Sequence, residues 1–208
     1  MSPPTRERKK LGWFGNHVTT YQKVSKEQGE VILLGDSIVE YLSRYPSVWD
    51  KHLAPLKAIN CGLRGDLTLN VLWRVERLFI PSNCCTGIIH CGVNDINDSR
   101  GKAFKPQEIA NNIISCGLEL CRKNPLMSVI IMGILPAGQT AWGRNSRIQE
   151  VNSLLREKSA IHGFLFIEQE GNWLNSSGKI NQEPFWRDHL HLSKKGNEKL
   201  ATTCAKTK

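Results

Sequence analysis

A serine, an aspartate and a histidine in this sequence are of the types, and stand in the chain order, that suit a nucleophile, an orienting acid and a base. Ser37 follows a Gly-Asp pair, and Asp188 and His191 stand three positions apart near the other end of the chain. A serine hydroxyl is a weak nucleophile at neutral pH and needs a histidine base, which an acidic residue holds in the right tautomer. Val39 stands where a G-x-S-x-G nucleophile elbow has its second glycine, so that motif is absent. Ser37, His191 and Asp188 are therefore the candidates for a nucleophile, its base and the acid that orients the base.

The tetrahedral intermediate of an acyl transfer also needs N–H donors around its oxyanion. Gly65 lies in a loop in which glycine lets a backbone N–H approach a ligand closely. Asn94 offers a side-chain amide on the next loop along the chain, and Ser37 adds its own backbone N–H. These three donors predict an oxyanion hole.

Each of these residues also has a structural interpretation. A serine after Gly-Asp often caps a turn or helix, and His191 could cap a helix or pack against Trp186. His189 and His191 could suggest a metal site, but a third ligand does not lie nearby in the sequence. Three aspartates flank the candidate residues, and we predict that they hydrogen-bond the loop backbone: Asp36, Asp66 and Asp95.

Five short apolar runs predict β-strands, and amphipathic helical patterns lie between them. The runs are Val31–Leu34, Lys57–Asn60, Gly87–Cys91, Ser128–Leu135 and Phe164–Ile167. Strand–helix alternation with nearly continuous apolar strands predicts an α/β protein with a parallel sheet covered on both faces. Right-handed crossovers then place all strand C-termini on one edge, and the candidate residues follow those ends.

Three helical stripes and one helix cap complete this pattern. The stripes comprise Leu69, Leu72, Trp73, Glu76 and Phe79, then Ile109, Ile113, Cys116 and Leu120, then Ile148, Val151, Leu154 and Leu155. Pro106 suits the first turn of the second stripe. The last helix is predicted to begin after Ser193 as N-cap and to run toward Cys204.

Composition fits one globular domain in a reducing compartment. The 208 residues are 40% hydrophobic and 23% charged, which excludes a mainly disordered chain. The apolar runs are too short to cross a membrane, and residues 1–10 are polar and basic, so we expect neither a membrane span nor a secretory signal. The cysteine count, seven, is odd, and no C-x-x-C pair occurs. We therefore expect a cytoplasmic protein.

The positive charge is concentrated at the two ends of the chain. The net charge is +9, residues 1–10 hold four Lys or Arg and one Glu, and residues 194–208 hold five Lys and one Glu. A nucleic-acid-binding domain concentrates its charge on the folded body or a groove. We therefore expect solvated basic ends and no nucleic-acid partner.

The motifs resemble those of one enzyme family. Gly35-Asp36-Ser37-Ile38, Gly65, Gly92-Val93-Asn94 and Asp188-x-x-His191 are similar to the four blocks of the SGNH (GDSL) hydrolases. Within that family the sequence most resembles the catalytic α subunits of intracellular (type Ib) platelet-activating-factor acetylhydrolase, over roughly residues 13–200. The supporting stretches are 71–76, 133–139 and 189–193.

This resemblance implies a flavodoxin-like three-layer α/β/α fold and a serine esterase that needs no metal or other cofactor. Ser37 would be the nucleophile, His191 the general base and then acid, and Asp188 the residue that orients His191. Ser37, Gly65 and Asn94 would form the oxyanion hole. By the same analogy Ile38, Val93 and Leu190 would border the acyl pocket.

The sequence also predicts a domain layout, and the resemblance implies partners. A basic extension, partly helical or flexible, would occupy residues 1–28, the hydrolase domain 29–203 and a basic tail 204–208. The substrate would be a small ester of a short acyl group such as acetyl, with phospholipids among the candidate alcohols, and the protein would form a homodimer.

The sequence departs from the acetylhydrolase pattern at three positions, and other functions stay open. Arg64 replaces a glycine beside Gly65, Val93 replaces a threonine, and His189 replaces a tyrosine. The alternatives are an O-acetyl carbohydrate esterase or lysophospholipase of the same fold, a nucleic-acid-associated esterase module of a retroelement, and a non-catalytic scaffold.

Overall fold

Five parallel strands form a single sheet at the centre of the domain. The structure is a computed structural model that describes residues 29–96, 104–138, 141–169 and 173–207, together with Gly15 and His17. The strands are β1 (Val31–Gly35), β2 (Ala58–Gly62), β3 (Thr86–His90), β4 (Ser128–Met132) and β5 (Leu165–Ile167). Their order is β2-β1-β3-β4-β5, with every pair parallel. The predicted five-stranded parallel sheet is thereby confirmed.

Strand β1 shows why these runs fold as central strands. Val31, Ile32 and Leu34 are 0% exposed and Leu33 is 1% exposed, so both faces of the strand are covered. A strand buried on both faces is apolar throughout, in contrast to the alternating pattern of a half-exposed strand.

Strand β4 ends earlier than its apolar run, which was predicted to extend to Leu135. Pairing with β5 stops at Met132, and the backbone N–H and C=O of Ile134 bond to the side chain of Asn152 at 2.8 and 3.0 Å. Because a side chain satisfies this backbone, the segment leaves the sheet although it stays buried. It forms part of the loop at the carboxyl edge.

Helices cover the sheet on both faces. They are α1 (Ser37–Glu40), α2 (Pro46–His52), α3 (Thr68–Arg77), α4 (Val93–Ile96), α5 (Pro106–Lys123), α6 (Ala141–His162) and α7 (Lys194–Ala205). Two 3₁₀ turns, Tyr41–Arg44 and Ala54–Leu56, flank α2. Helix α5 packs between α3 and α6 on one face, and α2 packs against α7 on the other. The fold is the predicted three-layer α/β/α sandwich.

The predicted stripes form the inner faces of α5 and α6, but the stripe predicted for α3 was mostly wrong. Leu69 and Glu76 are exposed, and the buried face of α3 holds Val71 and Val75 instead. Ile109, Cys116 and Leu120 of α5 are 0% exposed, as the pattern requires. Phe79, predicted on the stripe of the preceding helix, is 50% exposed because α3 ends at Arg77 and Leu78 turns to an extended conformation.

The C-terminal helix begins at its predicted cap and extends beyond the predicted domain end. The Ser193 hydroxyl accepts a hydrogen bond from the N–H of Gly196 at 3.3 Å. Helix α7 continues to Ala205, and Cys204 is 2% exposed with its sulfur 3.5 Å from that of Met132. Helical packing therefore continues past residue 203. The other proposed boundary, the extension 1–28, lies outside the described residues except for Gly15 and His17.

The described residues contain free cysteines and helices that are too short or too polar to span a membrane. All seven cysteines are free thiols, and Cys61, Cys84, Cys91, Cys116 and Cys204 are buried. Among the described helices, none combines the length and the apolar character needed to cross a lipid bilayer.

Candidate active site

Ser37 opens helix α1 directly after β1, at the carboxyl edge of the sheet. Asp36 caps this helix, and its Oδ1 accepts a hydrogen bond from the N–H of Ile38 at 2.9 Å. Gly35 passes so close to β3 that a Cβ there would lie 2.1 Å from the carbonyl oxygen of His90. Only glycine fits this position, which lets the chain turn sharply and present Ser37 at the edge.

Ser37, His191 and Asp188 form a continuous hydrogen-bonded series. The Ser37 Oγ lies 2.9 Å from His191 Nε2, and His191 Nδ1 lies 2.6 Å from Asp188 Oδ2. With the proton on Nδ1, the imidazole donates to Asp188 and accepts from the Ser37 hydroxyl. The structure thus brings together the three residues that the sequence predicted.

Asp188 is itself fixed by the backbone of the segment that it precedes. Its Oδ1 accepts hydrogen bonds from the N–H groups of Leu190 at 3.0 Å and His191 at 2.9 Å. Partial burial raises the pKa of Asp188, but the hydrogen bonds from His191 and Leu190 outweigh it, so the net pKa is lowered. An ionised Asp188 at neutral pH keeps the Nδ1 proton of His191 in place.

Two aromatic rings contact the imidazole of His191. The Tyr41 ring centroid lies 4.9 Å and the Trp186 centroid 5.8 Å from that of His191, and the two aromatic rings are 5.7 Å apart. The N–H of Trp186 also donates to the carbonyl of His191 at 2.7 Å. Packing of His191 against Trp186 was one structural interpretation of the sequence, and the structure shows it together with the bond to Ser37. Tyr41 was missed, although it lies one helical turn after Ser37.

The predicted oxyanion donors follow the ends of β1, β2 and β3: Ser37 begins α1, Gly65 lies in the loop after β2, and Asn94 lies in α4. Gly65 has φ +78°, and its missing Cβ faces open space, so a ligand can approach this backbone. The amide nitrogen of Asn94 donates to the carbonyl of Asp66 at 2.9 Å. A side-chain amide has two N–H groups, so this bond orients Asn94 and leaves one N–H for a ligand.

Arg64, beside Gly65, contacts the helix that Ser37 begins. Its side chain is 61% exposed, and its guanidinium donates to the Glu40 carboxylate at 2.8 Å. The backbone N–H of Arg64 donates to the same carboxylate at 2.5 Å. Glu40 ends α1, so this contact joins the oxyanion loop to the helix that Ser37 begins.

A buried arginine organises the strand ends beneath the site. The Arg74 guanidinium, 0% exposed, lies 2.7 Å from the Asp66 carboxylate, which is also 0% exposed. Its other N–H groups donate to the carbonyls of Cys61 at 2.8 Å and Gly35 at 3.1 Å. This single side chain therefore connects the end of β1, β2 and the loop of Asp66. Sequence reasoning missed it, because Arg74 lies outside the predicted stripe and was noted only within the stretch 71–76.

Asp36 and Asp95 hydrogen-bond to loop backbone, as predicted, whereas the third flanking aspartate, Asp66, pairs with the side chain of Arg74. Asp95 accepts hydrogen bonds from the N–H of Thr68 at 3.0 Å and from its hydroxyl at 2.7 Å, which fixes the start of α3. Asp66 pairs with Arg74, and Asp36 caps α1. Burial raises the pKa of Asp36 to about 7, with the charges of Asp66 and Asp95 adding to the rise and the Ile38 hydrogen bond opposing it.

The residues predicted to border the acyl pocket differ in exposure. Ile38 is 3% and Val93 is 2% exposed, and both belong to the hydrophobic core. Leu190 is partly exposed beside His191. Of the three, only Leu190 therefore presents more than a trace of surface.

His189 helps to fix the backbone of the loop that holds His191. It has φ +52°, an uncommon left-handed conformation for a non-glycine residue, and its carbonyl accepts a hydrogen bond from the N–H of Gly138 at 2.8 Å. This bond joins the loop after β4 to the loop of Asp188 and His191. In the part of the chain that the structure describes, His, Cys, Asp and Glu side chains do not group in threes that could hold a metal ion.

The α/β/α fold, with polar loops at the carboxyl edge of its sheet, is the fold of solved GDSL-like hydrolases. The chain belongs to the GDSL-like lipase/acylhydrolase family, whose model matches residues 33–199.

Known proteins agree with this assignment. The chain is 26% identical over 186 residues to human platelet-activating factor acetylhydrolase IB subunit alpha1, covering 88% of this chain and 77% of that one. It is 25% identical over 190 residues to the bovine alpha2 subunit, covering 90% and 80%.

Solved structures share the fold. A GDSL-like lipase from Bacteroides thetaiotaomicron has a TM-score of 0.72 at 21% identity, with 94% of this chain and 95% of that chain covered. A catalytic mutant of an acetylxylan esterase from Geobacillus stearothermophilus has a TM-score of 0.68 at 15% identity, with 86% and 94% covered.

Proposed function

We propose that this protein hydrolyses short-chain acyl esters, most simply acetyl esters, through an acyl-Ser37 intermediate. The observation that supports this function best is the hydrogen-bonded series from Ser37 Oγ through the His191 imidazole to the Asp188 carboxylate, at 2.9 and 2.6 Å. These are the distances that a nucleophile, a base and an orienting acid require.

In the first half of the reaction, Ser37 Oγ attacks the ester carbonyl as His191 Nε2 takes its proton. The imidazolium is stabilised by Asp188, which stays ionised. The new oxyanion receives hydrogen bonds from the N–H groups of Ser37 and Gly65 and from the second N–H of Asn94. The intermediate collapses when His191 returns the proton to the leaving alcohol oxygen, which leaves the acyl group on Ser37.

In the second half, water replaces the alcohol. His191 takes a proton from the water as its oxygen attacks the acyl carbonyl, and the same donors hold the oxyanion. Collapse breaks the bond to Ser37 Oγ, which regains the proton from His191, and the carboxylic acid leaves. The enzyme returns to its starting state without an external cofactor.

The short acyl group follows from the surface around Ser37. Ile38 and Val93 lie in the core, 3% and 2% exposed, so they offer little room beside the nucleophile, and Leu190 would form the accessible wall. Bulky walls there would favour a short acyl group, because a long chain must fit or clash. The names of the acetylhydrolase subunits point the same way. The homodimer and the cytoplasmic location stay predictions.

Hydrolysis of p-nitrophenyl esters from acetyl to octanoyl tests this function. We expect the wild type to be active, with kcat/KM falling as the acyl chain grows, and Ser37→Ala to lose several orders of magnitude in kcat. The matched control is Ser47→Ala, at an exposed serine of α2, which should keep the wild-type rate.

A second readout identifies the nucleophile directly. A fluorophosphonate should label the wild type at Ser37 and leave Ser47 unlabelled, as read by mass spectrometry of the peptides. In Ser37→Ala, the peptide that contains position 37 should carry no label. If the wild type and Ser37→Ala are equally inactive toward every ester and toward the fluorophosphonate, the proposal is overturned.

A further inference from the structure

Arg44 stands over the aromatic rings that contact His191. Its guanidinium carbon lies 3.4 Å from the Tyr41 ring centroid and 5.5 Å from that of Trp186. The residue is exposed, at the end of the 3₁₀ turn that follows α1. A guanidinium above a ring face is held by the ring's negative quadrupole, and its N–H edge stays available for hydrogen bonds.

This arginine differs in its partners from three other exposed arginines. Arg64 pairs with Glu40, Arg122 with Glu119 and Arg156 with Glu168. Within the described residues, the contacts of the Arg44 guanidinium are with rings, and no carboxylate neutralises it. Its positive charge is therefore positioned and uncompensated.

The position of this charge matters because of what His191 does in the proposed reaction. His191 must reach the leaving oxygen to protonate it, so the alcohol half of the ester lies beside the imidazole. Tyr41 and Trp186 contact that imidazole at 4.9 and 5.8 Å, and Arg44 lies over the same two rings. The alcohol half of the ester and Arg44 would therefore adjoin the same pair of rings.

We propose that Arg44, supported by Tyr41 and Trp186, binds an anionic group on the alcohol half of the ester and gives the enzyme a preference for anionic esters. This inference rests on the proposed esterase function. Phosphate and carboxylate share the chemistry that a guanidinium fork recognises. Arg44 acts on specificity and leaves the chemical step to Ser37 and His191.

A charge-matched pair of esters tests the proposal. We compare 4-acetoxybenzoate with the neutral 4-acetoxybenzamide, and add 4-acetoxyphenyl phosphate to separate phosphate from carboxylate recognition. Arg44→Gln should lower kcat/KM for the anionic esters about tenfold, the loss of a charge-assisted hydrogen bond, and leave the amide within about twofold. Added salt should weaken the wild-type preference and have little effect on the variant.

Three variants make the result specific. Arg44→Lys keeps a charge but loses the planar fork and should retain part of the preference. Arg122→Gln, on the exposed face of α5, should match the wild type on all three esters. Arg187→Gln removes the arginine that directly precedes Asp188; if this change, rather than Arg44→Gln, abolishes the preference, the proposal is wrong.

The remaining outcomes separate this proposal from the proposed function. If Arg44→Gln lowers kcat/KM equally for charged and neutral esters, Arg44 only supports His191. If it lowers kcat/KM for none of the esters, Arg44 binds no anion. Either result would overturn the proposal. If the wild type hydrolyses none of the esters, the esterase function fails, and the subsite is then judged by binding. An NMR titration with 4-hydroxyphenyl phosphate should show weaker binding to Arg44→Gln than to the wild type, and equal binding would overturn the subsite.

Discussion

The Arg74 guanidinium donates a hydrogen bond to the carbonyl of Gly35 at 3.1 Å, two residues before the candidate nucleophile. The same guanidinium pairs with Asp66 at 2.7 Å in the loop after β2. The end of β1 and the loop after β2 are thus joined through one buried charge, and this ion pair helps to fix their relative position.

Arg74→Met is expected to lower the free energy of unfolding by about 3–5 kcal/mol, because Asp66 would stay buried without its partner. Arg77→Met is the matched control on the same helix, where the side chain is 30% exposed, and should cost about 1 kcal/mol or less. Urea denaturation measures both, and equal losses would contradict the role given to Arg74. The double variant Asp66→Asn/Arg74→Met should be less destabilised than the sum of the single changes, since neither charge is then left alone.

Asp188→Asn is expected to reduce kcat about 10³-fold or more with little change in KM. An amide N–H facing Nδ1 would favour the proton on Nε2, and His191 could then no longer accept the proton of Ser37. The measurement is kcat and KM on p-nitrophenyl acetate, with Asp50→Asn at an exposed position of α2 as control. A variant that keeps a third of the wild-type kcat would show that Asp188 does not set the tautomer.

The sheet could be predicted from the sequence because its signal is local: a central parallel strand is apolar on both faces, so each run is visible by itself. The grouping of Ser37, Asp188 and His191 was predicted from four motifs in order along the chain, since each residue taken singly could also be a cap. The ends of the strands were less certain. Ser128–Met132 ends where Asn152 satisfies the backbone of Ile134, a contact between residues 18 positions apart in the chain.

Contacts around the site that combine distant segments were not predictable. The cluster of Tyr41, Trp186 and Arg44 joins two loops more than a hundred residues apart, and its members have no motif of their own. Arg74 looked like one residue of an amphipathic helix, and only the fold places it beneath Gly35. The short helices α1 and α4, four residues each, span about one turn and show no periodicity.

Asp36→Asn is expected to change how stability depends on pH. The pKa of Asp36 is raised to about 7 in the folded protein, so between pH 4 and 7 the folded state binds a proton that the unfolded state releases. The contribution of this group is therefore largest below about pH 4, its unfolded value, and is lost as pH rises toward 7. Asparagine cannot ionise, so the unfolding free energy of the variant relative to the wild type should rise by up to about 1.4 kcal/mol per pH unit over this range. Urea denaturation at pH 5 and pH 8 measures this, and a constant difference would show that Asp36 does not titrate there.

Asn94→Ala is expected to lower kcat about 10²- to 10³-fold with a small effect on KM, because a preorganised oxyanion donor stabilises the transition state more than the bound ester. The variant also loses the bond from Asn94 to the carbonyl of Asp66, so a structural effect must be separated from a catalytic one. Asn112→Ala provides the control, since Asn112 donates to the Thr68 hydroxyl at 3.0 Å in the same polar network and has no role at the oxyanion.

The measurements are kcat and KM on p-nitrophenyl acetate and the rate of phosphonylation by a fluorophosphonate, whose tetrahedral adduct needs the same donors. We expect Asn94→Ala to slow both reactions in parallel and Asn112→Ala to slow neither beyond about twofold. Equal losses in the two variants would mean that Asn94 only holds the loop of Asp66 in place.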